Sequence, residues 1–299
     1  MPELPEVTTT VSGLNETLPN LTIREVWTDY FLNTKSKRTD TIKNKKYFDY
    51  FRKEIVGAKV LNAERRGKNI LIHLSNNKTM LIHMKMTGHL LYGKYKFENK
   101  KWKSYEEFLS DPFSRFIHLL FTLSNGKHLA FSDMRKFAKV TLFETDKRAS
   151  VSDLSKLGPE PIPNLSTKTL SSQLLKKPNG KIKTVLMDQS IIAGIGNIYS
   201  DEILWASGIH PERTVSRLSE KEIDDICKYT KKILTSSIKI GGDSMSDYRN
   251  IYGRKGGFQN AHNAYKRNKE KCLKNNCQGT IRREVIGGRS THFCDIHQK

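Results

Sequence analysis

Apolar residues near the start of the chain recur with a helical spacing. Val7, Val11, Leu14 and Leu18 are separated by four, three and four positions, so they fall on one face of a helix. Pro5 fits the first turn of such a helix, because the N–H that proline lacks has no intrahelical partner there. The spacing predicts an amphipathic helix at the beginning of the chain.

From residue 21 to residue 145 the pattern changes to alternation by two, which is typical of half-buried strands. Asn76-Asn77 and Asn125-Gly126 lie between alternating runs, where tight hairpin turns are expected. Short strands joined by turns predict a β-sandwich or a flattened barrel. Apolar side chains occupy every second position in three segments, residues 70–74, 80–86 and 117–123.

Residues 158–163 include three prolines, which indicate a domain boundary near this point. Beyond it the pattern is helical: Ser219 and Glu222 form a capping box, and Gly241-Gly242 end the helix that follows. The predicted fold class is α+β. Its parts are an N-terminal helix with a β-sandwich over residues 1–150, a helical domain over 151–255 and a cysteine-containing tail over 256–299.

The net charge narrows the class of partner. The chain of 299 residues carries 52 Lys and Arg against 31 Asp and Glu, a formal charge of +21, which indicates nucleic acid or an anionic membrane surface. No run of about 18 apolar residues is present and residues 1–20 lack the regions of a signal peptide, so we expect a soluble intracellular protein that binds nucleic acid. The basic stretch at residues 33–53 is expected to be a solvated excursion, and its contact with DNA is left open.

Three of the four cysteines fall in the last 28 residues. In an intracellular chain such a cluster indicates metal binding before disulfides. Three thiolates and one imidazole can close a tetrahedral zinc site, with His292 as a competing fourth ligand that would strain the knuckle. We therefore expect one structural Zn²⁺ on Cys272, Cys277, Cys294 and His297.

The first residues combine an unusual nucleophile with two carboxylates. Removal of Met1, which a small second residue permits, leaves Pro2 with an α-amino group whose ordinary pKa is about 7.7 to 8.0. The neutral amine can attack an electrophilic carbon and form an iminium. Glu3 and Glu6 are candidate acid–base groups within one turn, although prolines and glutamates also favour helix N-termini for structural reasons alone.

The heptapeptide Met1-Pro2-Glu3-Leu4-Pro5-Glu6-Val7 resembles the N-terminal signature of formamidopyrimidine-DNA glycosylases, base-excision enzymes related to endonuclease VIII. Leu4 resembles the formamidopyrimidine branch, since the endonuclease VIII branch usually has glycine there. Further motifs in the family order extend the resemblance over nearly the whole chain. It implies a helix-two-turn-helix in the C-terminal domain and a zinc-finger β-hairpin in the tail.

The resemblance also assigns contacts with DNA phosphates. Lys68, in Arg65-Arg66-Gly67-Lys68, matches the lysine that contacts the phosphate beside the lesion, although by itself the motif is a basic turn. Asn197, which follows Gly194-Ile195-Gly196, inherits a phosphate contact, and Lys183 matches another basic family position. Arg289 matches the finger-hairpin arginine that binds the phosphates flanking the lesion.

Two segments, residues 83–88 and 133–137, resemble those that fill the hole left by a flipped base. Met86, Arg135 and Phe137 inherit that role, with Arg135 facing the estranged base. The chain departs from the family pattern in two places. The first zinc knuckle is two residues longer than the usual one, and a histidine stands in place of the fourth cysteine. The glycine-rich stretch 241–265, which in relatives contains a loop that closes over the flipped base, has different residues here.

The resemblance implies a bifunctional DNA glycosylase and abasic-site lyase, acting as a monomer on double-stranded DNA that contains oxidised bases or abasic sites. Pro2 would attack the anomeric carbon of the flipped nucleotide, Glu3 would serve as acid and base at the sugar ring oxygen, and Glu6 would organise the site; β- and δ-elimination would follow. Oxidised purines are the expected substrates. The alternatives are an endonuclease VIII-like enzyme for oxidised pyrimidines and a catalytically silent DNA-binding protein.

Overall fold

The computed structural model describes residues 1–32, 39–245 and 247–299, so residues 33–38 of the basic excursion lie outside the described part. The chain divides into two units. The first contains Met1–Ser155 and Gly241–Gly257, and the second contains Lys156–Ile240 and Phe258–Lys299. The three domains expected from the sequence group the chain differently, because residues 241–257 pack with the first unit while the tail packs against Trp205 of the second.

Helix α1 (Leu4–Thr17) opens the first unit and has the predicted apolar face. Val7, Val11 and Leu14 are buried in the core. The backbone N–H of Glu3, the residue before the helix, donates to Glu6 Oε2 at 2.7 Å. This hydrogen bond satisfies one of the donors that a helix N-terminus leaves without an intrahelical partner.

The first unit is a sandwich of two antiparallel sheets, which confirms the predicted β-sandwich. Facing side chains such as Ile72, Phe121 and Phe131 fill the space between the sheets together with α1. One sheet has the order β1 (Ile23–Thr28), β8 (Ile117–Leu123), β9 (His128–Ser132), β5 (His89–Gly93), and the other β10 (Lys139–Glu144), β4 (Lys78–His83), β3 (Asn69–Leu74), β2 (Val60–Arg66).

Two details of the sandwich depart from the sequence analysis. Strand β4 ends at His83, before the predicted end at Met86, because Lys85 adopts a left-handed φ of 58° and turns the chain. The second half of the basic excursion, from residue 45, lies in helix α2 (Lys45–Ile55), in which Phe48, Phe51 and Ile55 are buried. The apolar spacing of three and four residues was present there but was masked by the surrounding lysines.

A short hairpin, β6 (Tyr95–Glu98) and β7 (Lys101–Ser104), lies outside the two main sheets. It covers a second, smaller apolar cluster that includes Leu91, Tyr95 and Leu120. Trp27 of β1 and Trp102 of β7 pack against this cluster. The hairpin and the 3₁₀ turns Glu107–Leu109 and Pro112–Arg115 therefore add a layer to the sheet that contains β1.

The second unit is helical and ends in a hairpin. Its longest helix, α7 (Glu220–Lys239), opens with the predicted capping box, in which the Ser219 N–H donates to Glu222 Oε2 at 2.8 Å. The hairpin strands are β11 (Ile281–Ile286) and β12 (Arg289–Cys294), joined by two glycines with positive φ. The remaining helices of this unit are α4 (Thr167–Leu174), α5 (Ile182–Leu186) and α6 (Asn197–Ser207), and the short helix α3 (Ser152–Ser155) ends the first segment of the first unit.

Among the helices of the described residues, none combines the length and the apolar character needed to cross a lipid bilayer.

Candidate functional site

The start of α1 gathers buried polar groups. Pro2 is buried, and Glu3, Glu6 and Lys68 are 3%, 1% and 5% exposed. Both carboxylate oxygens of Glu6 accept backbone hydrogen bonds of 2.7 Å, Oε2 from Glu3 and Oε1 from Asp243. A carboxylate held at both oxygens is fixed in position, so Glu6 sets the geometry of the chain terminus.

The surroundings of the terminus alter the acidity of its amine. Burial lowers the pKa of the α-amino group of Met1 below its ordinary value of 8.0. Glu3 and Glu6 oppose this effect, whereas the nearby Lys68 adds to it. A lower pKa leaves more of an amine neutral at pH 7, and the neutral form is the nucleophile.

The segment Gly241–Gly257 packs on α1 within the first unit. Gly242 has a φ of 80°, and a Cβ at this position would lie 2.8 Å from Glu6 Oε1, so only glycine fits without a shift. The hydroxyl of Tyr248 donates to the backbone oxygen of Glu6 at 3.0 Å. The glycine-rich stretch that the sequence singled out thus holds the residue that organises the terminus.

Lys68 is positioned by a two-residue hairpin turn between β2 and β3. Arg66 and Asn69 are paired across the turn, and Gly67 takes a φ of 57°. Glycine at the first central position is the usual requirement of such turns. The turn places the Lys68 ammonium close enough to lower the pKa of the terminal amine.

Met86, Arg135 and Phe137 are exposed, unlike the groups at the terminus. Met86 and Phe137 are 40% and 48% exposed, and the guanidinium carbon of Arg135 lies 4.4 Å from the ring centroid of Phe137. Apolar side chains that remain exposed beside a cation are available to a partner. Their predicted role in filling the hole of a flipped base stays a prediction.

Asp133, to which the sequence analysis gave no role, fixes the loop that carries Arg135 and Phe137. It is fully buried, and its Oδ2 accepts from the Tyr30 hydroxyl at 2.9 Å and from the Ala138 N–H at 2.8 Å. Its Oδ1 accepts from Thr87, which follows Met86. One buried carboxylate therefore connects both loops. The only local signal was an acidic residue directly after a strand.

In the second unit, Asn197 and Arg289 lie on neighbouring elements. Asn197 is the first residue of α6, and its Nδ2 donates to the backbone oxygen of Ser290 at 2.9 Å. Arg289, directly before Ser290 in β12, is exposed and has no ion pair among the described residues. The structure thus brings these two predicted phosphate ligands together.

Lys183, which the resemblance predicts to bind DNA, makes its contacts within the protein. Its side chain is fully buried, and Nζ donates to Asn197 O at 3.0 Å, Ser200 Oγ at 2.7 Å and Asp201 Oδ1 at 2.5 Å. An ammonium has three protons, so all of them are committed to the start of α6. This arrangement supports a structural role for Lys183 in fixing Asn197 and argues against a direct phosphate contact.

The cysteine-rich tail forms a compact cluster. The side-chain donor atoms of Cys272, Cys277, Cys294 and His297 all lie within 4.8 Å of one another. His292 is directed elsewhere: its Nδ1 is 3.1 Å from Asp201 Oδ2. The cluster therefore contains the histidine that the sequence favoured as fourth ligand.

The spacing of these atoms fits a metal ion. Tetrahedral zinc, with Zn–S of ~2.3 Å and Zn–N of ~2.0 Å, separates two ligand sulfurs by ~3.8 Å and a sulfur from a nitrogen by ~3.5 Å. Cys277 Sγ and Cys294 Sγ are 3.6 Å apart, and Cys272 Sγ is 3.3 Å from His297 Nδ1. His297 Nε2 bonds to the Trp205 carbonyl at 2.9 Å, which leaves Nδ1 for the metal.

Comparisons with known proteins are consistent over the full length. A model of the formamidopyrimidine-DNA glycosylase N-terminal domain matches residues 1–140, and one of the formamidopyrimidine-DNA glycosylase H2TH domain matches residues 157–249. The formamidopyrimidine-DNA glycosylase of Pelotomaculum thermopropionicum is 34% identical, covering 100% of this chain and 99% of the relative. That of Bacillus subtilis is 34% identical over 98% of each protein.

Solved structures agree with these relatives. The Lactococcus lactis protein in complex with DNA containing an abasic site is 29% identical, with a TM-score of 0.83 over 99% of each chain. MutM in complex with DNA containing carbocyclic 8-oxo-G has a TM-score of 0.81 at 29% identity, over 100% of each chain.

Proposed function

Because the chain belongs to the formamidopyrimidine-DNA glycosylase family, and is therefore a DNA glycosylase of base-excision repair, we propose that it removes oxidised purines from double-stranded DNA and cleaves the resulting abasic site. The substrates would be 8-oxoguanine and formamidopyrimidines. The similar structures of relatives were solved with DNA that contains an abasic site or an oxidised guanine, which supports this choice.

The buried terminus is the observation that carries the proposal. Pro2 precedes α1, buried carboxylates lie directly before this helix (Glu3) and in its first turn (Glu6), and Lys68 lies nearby. After removal of Met1, the secondary amine of Pro2 would start the chain in these surroundings. A DNA-binding protein without catalysis has no need for a terminal amine buried beside Glu3 and Glu6.

The chemistry then follows from an amine nucleophile. The neutral nitrogen of Pro2 attacks the anomeric carbon of the flipped nucleotide, the bond to the base breaks, and the base leaves with a proton. Glu3 donates a proton to the sugar ring oxygen as the bond from that oxygen to the anomeric carbon breaks, which opens the ring and gives the iminium, and Glu6 keeps the helix start in place. The iminium that forms accepts electrons, so loss of a neighbouring proton expels the 3′ phosphate, and a second elimination expels the 5′ phosphate.

Binding to DNA is divided among several side chains. Lys68 of the first unit, and Asn197 and Arg289 of the second, contact backbone phosphates, which fixes position without reading sequence. Met86 and Phe137 enter the hole left by the flipped nucleotide, and Arg135 bonds to the estranged base.

One structural Zn²⁺ bound by Cys272, Cys277, Cys294 and His297 would hold the hairpin that carries Arg289, and it takes no part in the reaction. Elemental analysis of the purified protein should give about one zinc per chain, because the donor set is complete. His297→Ala should lose the metal, whereas His292→Ala should retain it. A protein free of zinc would remove this part of the proposal.

Borohydride trapping tests the reaction directly, since it reduces an iminium to a stable covalent complex. One duplex carries 8-oxoguanine opposite cytosine and the other carries thymine glycol opposite adenine, with Pro2→Gly as the control. Trapping mainly on the first duplex supports the proposal. Trapping mainly on the second indicates an endonuclease VIII-like specificity, and no trapping on either duplex or on an abasic one leaves only DNA binding.

A further inference from the structure

Strand β7 of the β6–β7 hairpin borders an open cavity of about 730 Å³ in the first unit. Its walls come from β1, β7, the turn Pro112–Arg115 and the start of β8. None of the described residues that the proposed function uses lines it. The volume lies within the ~300–1,000 Å³ typical of small-molecule sites.

Aromatic side chains form one wall of the cavity. The rings of Trp27 and Trp102 both line it, with centroids 5.9 Å apart, and Phe97 backs Trp102 at 5.3 Å. Trp27 is held in β1 by its pairing with Leu120 of β8. A rigid indole wall is a surface on which a flat aromatic ring can stack.

Cations without an ion-pair partner among the described residues also line the cavity. Lys100, Lys101, Lys103 and Arg115 line the cavity, and within residues 1–32, 39–245 and 247–299 none of them forms an ion pair. The turn between β6 and β7 supplies Lys100, and β7 supplies Lys101 and Lys103. Four cations in the lining of one cavity attract an anionic group.

The acidic residues of the lining are already neutralised. Asp29 Oδ1 lies 2.8 Å from His118 Nδ1, and its Oδ2 lies 3.2 Å from Lys136 Nζ. Asp111 Oδ2 is 2.8 Å from Arg249 Nε. The acids therefore do not cancel the charge of the lysines, and the lining as a whole favours an anion.

Two polar groups of the lining residues also lack partners. Trp102 Nε1 and Ser114 Oγ are buried and make no hydrogen bond within the described residues. Buried polar atoms are normally satisfied, so these two are candidates to bond to a bound molecule. An indole N–H can donate a hydrogen bond to a bound molecule, and a hydroxyl can donate or accept one.

We propose that this cavity binds a nucleotide unit, an aromatic base that carries a phosphate. The base stacks on Trp102 and Trp27, and the phosphate lies among Lys100, Lys101 and Lys103. The unit can come from a free mononucleotide or from an unpaired DNA strand, which share this chemistry. This site is additional to the one that processes the lesion and does not depend on it.

Calorimetric titration of the full chain tests the proposal, with adenosine 5′-monophosphate, adenosine and inorganic phosphate as probes. We expect the mononucleotide to bind at least about tenfold more tightly than either part, because stacking and charge act together. Binding should persist when the lesion site is saturated with a duplex that contains an abasic analogue. Saturation with this duplex separates the two sites.

Two kinds of variant locate the binding. Trp102→Leu should weaken mononucleotide binding at least about tenfold, with Tyr105→Leu, an exposed aromatic outside the cavity, as the matched control. Lys101→Gln with Lys103→Gln should weaken it and flatten its salt dependence, whereas Lys96→Gln, which removes a lysine paired with Glu98, should not. The lysine variants keep the test valid if Trp102→Leu unfolds.

The outcomes are distinct. Absence of mononucleotide binding, its loss on adding the abasic duplex, or its persistence in both kinds of variant would overturn the proposal. A ten-residue thymidine oligonucleotide that binds at least about tenfold more tightly than the mononucleotide, in the presence of the duplex, assigns the site to an unpaired strand. Equal affinity assigns it to the mononucleotide. Failure of the protein to bind the abasic duplex would contradict the proposed function. The titration with mononucleotide and the two kinds of variant would still decide whether the cavity binds a nucleotide unit.

Discussion

The N-terminal site and the surface formed by Met86, Arg135 and Phe137 belong to the same unit but are built in opposite ways. At the terminus, Glu3, Glu6 and Lys68 are at most 5% exposed. Glu6 is held at both of its oxygens. On the other surface, Met86 and Phe137 are about half exposed, and the buried anchor is Asp133 beneath them.

The difference corresponds to two physical demands. A nucleophile and its proton donor must keep a fixed geometry and a shifted pKa, and burial provides both. A side chain that enters DNA must be exposed in the free protein, so only its backbone can be fixed in advance. Substitutions at the first region should therefore alter the reaction or the fold, whereas those at the second should alter binding alone.

Replacement of Glu3 should have the largest effect. Glu3→Gln preserves the shape of the side chain but removes its ability to transfer a proton, so the single-turnover rate of 8-oxoguanine excision should fall roughly 10²- to 10⁴-fold. Binding of a duplex with an abasic analogue should change little. Glu25→Gln, at an exposed position of β1, is the control. A rate within about threefold of the parent protein would show that Glu3 is not the proton-transfer group.

Two glycines test whether the fixation of Glu6 matters to the fold. Gly242 and Gly126 have φ of 80° and 78°, but a Cβ would contact Glu6 only at Gly242 and would meet open space at Gly126. Both alanine variants carry the same backbone strain. Gly242→Ala should therefore lower the free energy of unfolding by about 1–3 kcal/mol more than Gly126→Ala, measured by urea denaturation. Equal losses of unfolding free energy in the two variants would mean that the Glu6 side chain moves away from the added Cβ at no cost in stability.

The exposed surface should show the opposite behaviour. Phe137→Ala should weaken binding of a lesion duplex by about tenfold, because an inserted aromatic ring loses its stacking partner. Its free energy of unfolding should stay within about 0.5 kcal/mol of the parent, since the ring is exposed. Tyr105→Ala, 59% exposed on the same unit, should change neither quantity. A large loss of stability in Phe137→Ala would contradict the expectation that substitutions on this exposed surface alter DNA binding alone.

The sequence predicted those parts of the fold that depend on local patterns. Alternation placed β8 at residues 117–123, and the capping residues placed the start of α7. Such signals arise from neighbours along the chain, so they need no knowledge of tertiary contacts. The burial of Phe48 and Phe51 in α2 was missed because the lysines around them dominate the composition.

The candidate site depended more on distant contacts. The second partner of Glu6 is Asp243, and the role of Asp133 rests on Tyr30 and Thr87, far away in the chain. Lys183 looks like any basic residue until Asp201 is placed beside it. Residue types indicated which chemistry was possible, but burial and hydrogen bonding decided which charges are structural and which are available.

The smallest effect expected concerns the acidity of the terminal amine. Burial and the charge of Lys68 lower the pKa of the Met1 α-amino group below 8.0, and we expect the same two causes to act on the Pro2 amine once Met1 is removed. Only the neutral amine reacts, so the rate should fall as the pH drops through the pKa of that amine. Lys68→Gln removes one cause of the lowering. The acid limb of the single-turnover rate, measured with saturating DNA, should then move to higher pH by less than about one unit. Lys68→Arg preserves the charge and should leave the limb in place. A shift of the acid limb to lower pH in Lys68→Gln would contradict the electrostatic role of Lys68 at the buried terminus.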